Sequence, residues 1–209
     1  MLDLQDNHLM SLPDPIGRLV NLKAFYISKN QLTKLPESIL QLVNLQYLDI
    51  SNNRLTELPE SVGDLINLKD LKAFNNNLTE LPESIGQIVN LQYLNISNNH
   101  IASLPGPIGL LVNLKYLNIS NNQLTELPGS ICRLDNLESL NISNNQLAKF
   151  PESIGRLVGL KYLDVSENQL TELPESIRNL KQLEEIVVDS KVSVPRLAET
   201  VTVTRIDED

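Results

Sequence analysis

Shifting this sequence by 23 residues lays it onto itself, so Leu22, Leu45, Leu68, Leu91, Leu114, Leu137 and Leu160 each open a copy of one segment. A fixed period of that length excludes folding around one central core. Each copy is a small unit that buries its apolar face only against the copies before and after it, which is the signature of a solenoid. Seven full copies occupy 22–182, a truncated one occupies 1–21, and a last strand, 183–189, precedes a non-periodic stretch, 190–209.

The copy from Leu45 to Asn67, LQYLDISNNRLTELPESVGDLIN, carries the physics of the unit. Leu45, Leu48 and Ile50 give a short strand one apolar face. Asn53, at the ninth position, supplies a buried amide for backbone groups freed where the chain leaves the strand. Leu55 and Leu58 continue the apolar layer through the bend. Pro59 suits a helix start, where its missing N–H costs nothing, and Glu60 suits the positive end of a helical turn. Val62 and Leu65 share one face of that turn, and Gly63 is expected to keep it short.

The pattern LxxLxLxxNxLxxLPxxIGxLxN resembles the 23-residue leucine-rich repeat of the Ras-suppressor type, known from animal scaffold proteins, plant intracellular repeat proteins and bacterial proteins. The likeness covers residues 2 to about 188. It implies an α/β fold: a right-handed leucine-rich-repeat solenoid, with a parallel sheet on the concave side and short helical or 3-10 turns on the convex side. Nine strands about 4.8 Å apart would span roughly 38 Å. In the tail, Val201-Thr202-Val203-Thr204 alternates as a half-buried strand does. Residues 190–209 are therefore expected to form a C-terminal cap that ends in a solvated Asp207-Glu208-Asp209.

Charge and cysteine content narrow the partners. A formal charge of −9 disfavours nucleic-acid phosphate and anionic membrane, which both require clustered cations. Cys132 is the one cysteine, so no intrachain disulfide can form, and the N-terminal MLDLQDNH has no signal-peptide character. A cytoplasmic compartment follows as the expectation, or export into a host cell by a route that needs no N-terminal signal peptide. No cofactor or metal is expected: Cys132, His8 and His100 lie on different coils and share no ligand or dyad spacing.

Candidate binding residues emerge where the chain departs from its own repeat. The third, fifth and seventh positions of each copy are expected to face outward from the sheet. All five tyrosines fall on them: Tyr26 at the fifth, and Tyr47, Tyr93, Tyr116 and Tyr162 at the third. The fourth copy departs most, with Ala73 at a core position and Phe74 at the seventh. Exposed aromatics bury much area at low entropic cost, so Tyr26, Tyr47, Asp49, Asp70, Lys72, Phe74, Tyr93 and Asn95 form the candidate partner-binding group. Acidic residues outside the bend (Glu57, Glu60, Glu80, Glu83, Glu126, Glu152, Glu172 and Glu175) read as a solvated face with favourable helix-start charges, the alternative being a recognition surface for a basic partner. The second-position lysines, Lys23, Lys69, Lys115 and Lys161, alternate with Gln46, Gln92, Glu138 and Glu184, as duplication of two-copy blocks would leave them. Gly106-Pro107 and Gly129 are expected to loosen the helical turns of the fifth and sixth copies.

The chain accordingly reads as a non-catalytic scaffold that holds a protein or peptide partner on its concave sheet. The alternative is the substrate-recognition part of a bacterial effector or ubiquitin-ligase-type system, with catalysis elsewhere. The first coil carries Leu2, Leu4, Leu9, Leu12 and Ile16 without a polar cap, so end-to-end self-association is a further expectation.

Overall fold

A computed structural model describes residues 1–207. Each copy contributes one strand of two to five residues: β1 (Leu2–Asp3), β2 (Ala24–Tyr26), β3 (Tyr47–Asp49), β4 (Asp70–Lys72), β5 (Tyr93–Asn95), β6 (Tyr116–Asn118), β7 (Ser139–Asn141), β8 (Tyr162–Asp164) and β9 (Glu185–Asp189). The tail adds β10 (Thr202–Ile206), so the sheet has ten strands where the period alone gives nine. All neighbours are parallel and in sequence order, and the register repeats the 23-residue shift: Leu48 lies beside Leu71, and Leu71 beside Leu94.

In the three-residue strands β2 to β8 the middle residue points into the core and its two neighbours point out. In the third copy Leu45, Leu48, Ile50, Leu55, Leu58, Val62 and Leu65 are all buried, as the spacing predicts. Opposite the sheet, the chain closes each coil with a five-residue 3-10 helix such as Glu60–Asp64. Pro59 precedes that helix in an extended conformation (φ −64°, ψ 144°). Its carbonyl accepts from Val62 N–H at 2.9 Å, so proline is the cap and Glu60 the first helical residue.

Two backbone demands explain repeat positions that apolar spacing leaves unread. The eighth residue of every copy from the first to the eighth is left-handed, with φ between 51° and 55°. Asparagine tolerates that region better than other side chains, hence Asn52, Asn75, Asn98, Asn121 and Asn144. At the nineteenth position no glycine has positive φ, so conformational freedom is not the reason for it. A Cβ on Gly63 would sit 2.6 Å from the Ser84 carbonyl of the next coil, and one on Gly109 would sit 2.3 Å from that of Ser130. Glycine is there because consecutive helices approach closely, rather than to shorten the turn.

The helices behave accordingly. Leu40 and Cys132 occupy the glycine position in the second and sixth copies, and the helices after them pack more loosely than the other neighbouring pairs. Gly106 and Gly129 have no such effect by themselves: both turns keep the five-residue 3-10 form, and the helix Gly106–Leu110 packs tightly on both sides. The expected loosening therefore comes from a side chain wedged between coils.

At the C-terminal end, Asp189 takes over the neighbour's role. Its buried carboxylate accepts from Glu167 N–H at 2.7 Å, where earlier coils use a backbone carbonyl. Arg205, on β10, donates to the carbonyls of Ser190 and Val192, both at 3.0 Å. Val194, Leu197 and Val201 pack against the last coil. Asp207 is exposed and accepts from Ser190 Oγ at 2.6 Å; Glu208 and Asp209 lie outside the described residues. At the other end Met1, Met10, Leu19 and Val20 of the first coil are exposed.

Candidate protein-binding face

The solvent side of the sheet carries two rows of side chains. The third-position row runs Tyr47, Asp70, Tyr93, Tyr116, Ser139, Tyr162, with each residue the register partner of the next. The fifth-position row runs Tyr26, Asp49, Lys72, Asn95, Asn118, Asn141, Asp164 in the same way. Seven of the eight candidate residues therefore lie side by side on β2 to β5. The eighth, Phe74, lies two residues beyond β4 and is half-buried.

Most seventh-position serines do not face outward. Ser28, Ser51, Ser97, Ser120 and Ser166 are buried, and most are tied to the fifth-position residue of their own copy. Ser51 donates to Asp49 Oδ1 through both N–H (3.0 Å) and Oγ–H (2.6 Å), and Ser97 does the same to Asn95 at 3.0 and 2.7 Å. These short loops let a carboxylate or amide satisfy the backbone as it turns out of the strand. Asp49 and Asn95 thus hold their own turns, and these serines, expected to face outward, are buried instead. Lys72 and Phe74 replace that pair in the fourth copy, where Ala73, fully buried, fills the core position.

Asp70 is the electrostatic anomaly of the face. Its Oδ1 is buried without a hydrogen-bond partner, and Lys72 Nζ stands 3.9 Å from Oδ2. Burial pushes the Asp70 carboxyl above its usual range, Lys72 opposes the shift, and the neighbouring Asp49 adds to it. The same ammonium lies 5.8 Å from the centre of the Tyr93 ring, within cation–π reach. Tyr93 and Tyr116 meet at 6.0 Å with their planes tilted by 39°.

At Glu138 the second-position alternation makes ion pairs. Glu138 Oε2 accepts from Lys161 Nζ at 2.8 Å, and Glu138 Oε1 lies 3.7 Å from Lys115 Nζ, so one carboxylate bridges the lysines of both flanking coils. The Lys161 hydrogen bond and charge hold the Glu138 carboxyl below the ordinary range and raise the Lys161 ammonium.

Sequence reasoning missed a hollow centred on Ser139. About 180 Å3 of space is lined by Tyr93, Tyr116, Leu117, Asn118, Ser139, Asn141 and Tyr162. Ser139 stands where β5, β6 and β8 each carry tyrosine, and the interruption of that row was the readable signal.

The flanking glutamates Glu57, Glu60, Glu80, Glu83, Glu126, Glu152, Glu172 and Glu175 are exposed. Cys132 is buried, its thiol pushed up by burial, with Sγ 3.1 Å from the donor Ser153 Oγ. Among the described residues, no group of three or more His, Cys, Asp or Glu could hold a metal ion, and no helix is long and apolar enough to cross a membrane.

Family models described as leucine-rich repeat match residues 1–55 and 44–101, a leucine-rich repeat region model matches 83–149, and a further leucine-rich repeat model matches 159–180. The chain is a leucine-rich-repeat protein. Three solved structures illustrate the likeness. A leucine-rich-repeat protein of Leptospira interrogans is 32% identical, with a TM-score of 0.76 over 95% of this chain and 58% of that one. The ectodomain of the Arabidopsis thaliana receptor kinase GASSHO1/SCHENGEN3, in complex with CASPARIAN STRIP INTEGRITY FACTOR 2, is 33% identical, with a TM-score of 0.80 over 88% of this chain and 23% of that one. The plant peptide hormone receptor RGFR1, in complex with RGF2, is 29% identical, with a TM-score of 0.85 over 99% of this chain and 36% of that one. This leucine-rich-repeat chain thus spans less than two thirds of the length of each. No curated protein matches it.

Proposed function

We propose that this leucine-rich-repeat chain is a non-catalytic scaffold that holds a protein or peptide on the concave face of its sheet. The observation that carries the reading is the row of tyrosines on the solvent side of a sheet whose other side is fully packed. Tyr47 and Tyr116 are 41% and 45% exposed, although either ring would be favourably buried by a partner. The face is preorganised, because the turn bonds at Asp49, Asn95 and their equivalents fix the backbone that presents the rings. Two similar structures, GASSHO1/SCHENGEN3 and RGFR1, were solved as complexes, and both support reading the chain as a binder.

The face of β2 to β5 is proposed as the centre of the site. Tyr47, Phe74 and Tyr93 provide the apolar contacts, and Asp70 with Lys72 provides the charged pair. The test is peptide selection from a random displayed library on the immobilised protein, followed by photocrosslinking. A benzophenone residue replacing Tyr47 should capture the selected peptides, and one replacing Val112, exposed in the turn after the helix Gly106–Leu110, should not. Capture from Val112 alone would overturn the proposal.

A further inference from the structure

The hollow at Ser139 has aromatic walls, a closed floor and a net negative surround. Its walls are the rings of Tyr116 and Tyr162, two strands apart and so roughly 10 Å from one another. Its floor is Leu117 with Ser139 and the amides of Asn118 and Asn141. An apolar cavity of about 150 Å3 is enough for a benzene ring, and the hollow holds about 180 Å3. It therefore fits one flat side chain, where a tyrosine at 139 would have completed the row.

Charge decides what kind of flat group fits. Lys115 and Lys161 lie on the flank and share Glu138 between them. Asp164 follows Tyr162 on β8, and Glu185 is the register partner of Tyr162 on β9, preceded by Glu184. On the far side Lys72, over the Tyr93 ring, is matched by Asp70, so the four carboxylates outnumber the two remaining ammonium groups by two. The Tyr162 hydroxyl registers that field: burial, then Asp164 and Glu185, keep it protonated to higher pH than an ordinary tyrosine. Asp164 Oδ1 is taken by Ser166, whereas Oδ2 has only a long contact, 3.5 Å, from the Tyr162 hydroxyl. The fold also shows the arrangement once already. On β4, Lys72 sits beside the Asp70 carboxylate and over the Tyr93 ring, whereas β6 and β7 offer Asn118 and Asn141 at the corresponding positions.

We propose that the hollow at Ser139 receives an arginine side chain of a bound peptide, its guanidinium stacked between Tyr116 and Tyr162 and hydrogen-bonded toward Asp164. Arginine meets both requirements at once, being planar and cationic, with donors on every edge. This deepens the proposed concave-face reading and rests on it.

The test is a titration of isotope-labelled protein, followed by amide shifts, with the blocked peptide Gly-Gly-Arg-Gly-Gly and versions carrying citrulline, lysine or phenylalanine at the centre. The arginine peptide should shift amides in 116–118, 139–141 and 162–164, with an affinity of about 1–10 mM. Citrulline keeps the shape without the charge and should bind about tenfold more weakly. Ser139→Tyr, which fills the hollow, should abolish the shifts. Asp164→Asn with Glu185→Gln should weaken binding several-fold, and the first of these changes is safe for the fold because asparagine holds the same turn at Asn141. Equal binding by arginine and citrulline, tighter binding by phenylalanine, or unchanged binding in Ser139→Tyr would each overturn the proposal. Peptides selected from the library separate this from the wider reading: if they lose affinity on Tyr47→Ala but not on Ser139→Tyr, the face binds and the arginine pocket is wrong.

Discussion

Asn99 reaches back one coil to Ala73: its Nδ2 donates to the Ala73 carbonyl at 3.1 Å while its Oδ1 accepts from Leu78 N–H at 2.9 Å. The same amide also donates to Ile96 and Ser97 of its own coil, so one side chain ties two turns together. Asn99→Ala should destabilise the protein by about 3 kcal/mol, because the buried Leu78 N–H loses its partner and several carbonyls lose a donor. Chemical denaturation measures this, and a loss below about 1 kcal/mol would mean that neighbouring coils satisfy those groups without it.

The glycines separate by what lies opposite them. Gly109→Ala drives a Cβ into the Ser130 carbonyl and should cost about 1–3 kcal/mol. Gly106→Ala meets nothing within 4 Å and starts from a negative φ, so it should stabilise by about 0.4–1 kcal/mol through the unfolded chain. Thermal melts of the two variants should move in opposite directions; the same sign for both would reject close approach as the reason for glycine.

Asp70 should reveal itself in the pH dependence of stability. Its folded carboxyl is raised above the unfolded one, so the folded state holds the proton more tightly and the ionised group opposes folding at neutral pH. That penalty is absent below the unfolded carboxyl's pKa and fully present above the raised folded one. Asp70→Asn should therefore raise the melting temperature at pH 7 and leave it unchanged near pH 3. Glu138 has the opposite sign: its folded carboxyl is depressed, so its contribution holds above the unfolded pKa and is lost as pH falls through the folded one. A lower melting temperature for Asp70→Asn at pH 7 would show that the Lys72 pair outweighs burial.

Leu94 is fully buried at the centre of the stack, and Leu94→Ala should cost about 2–5 kcal/mol. That prediction was available from spacing alone, because a leucine every 23 residues fixes both the strand register and the buried face. The ninth-position asparagine was legible for a similar reason, since a polar residue amid apolar ones needs partners. The eighth-position asparagine and the nineteenth-position glycine were visible as repeats but their causes were not: one answers a left-handed φ and the other a carbonyl on the next coil. The inward turn of Ser51 and Ser97 was missed because alternation along an ideal strand ends where β3 and β5 end, two residues before them. The hollow at Ser139 depends on what adjacent coils leave empty, which single-copy reasoning does not address.

The most direct measurement of concave-face binding is the affinity of a library-selected peptide for two double variants. Replacing Tyr47 and Phe74 together by Ala should weaken binding by more than about 2 kcal/mol, near thirtyfold, with circular dichroism unchanged. Reversing Glu152 and Glu175 to Lys, both exposed on the flank, should change it by less than about 1 kcal/mol. If the flank variant loses binding and the concave variant keeps it, the acidic edge is the recognition surface and binding on the concave sheet is contradicted.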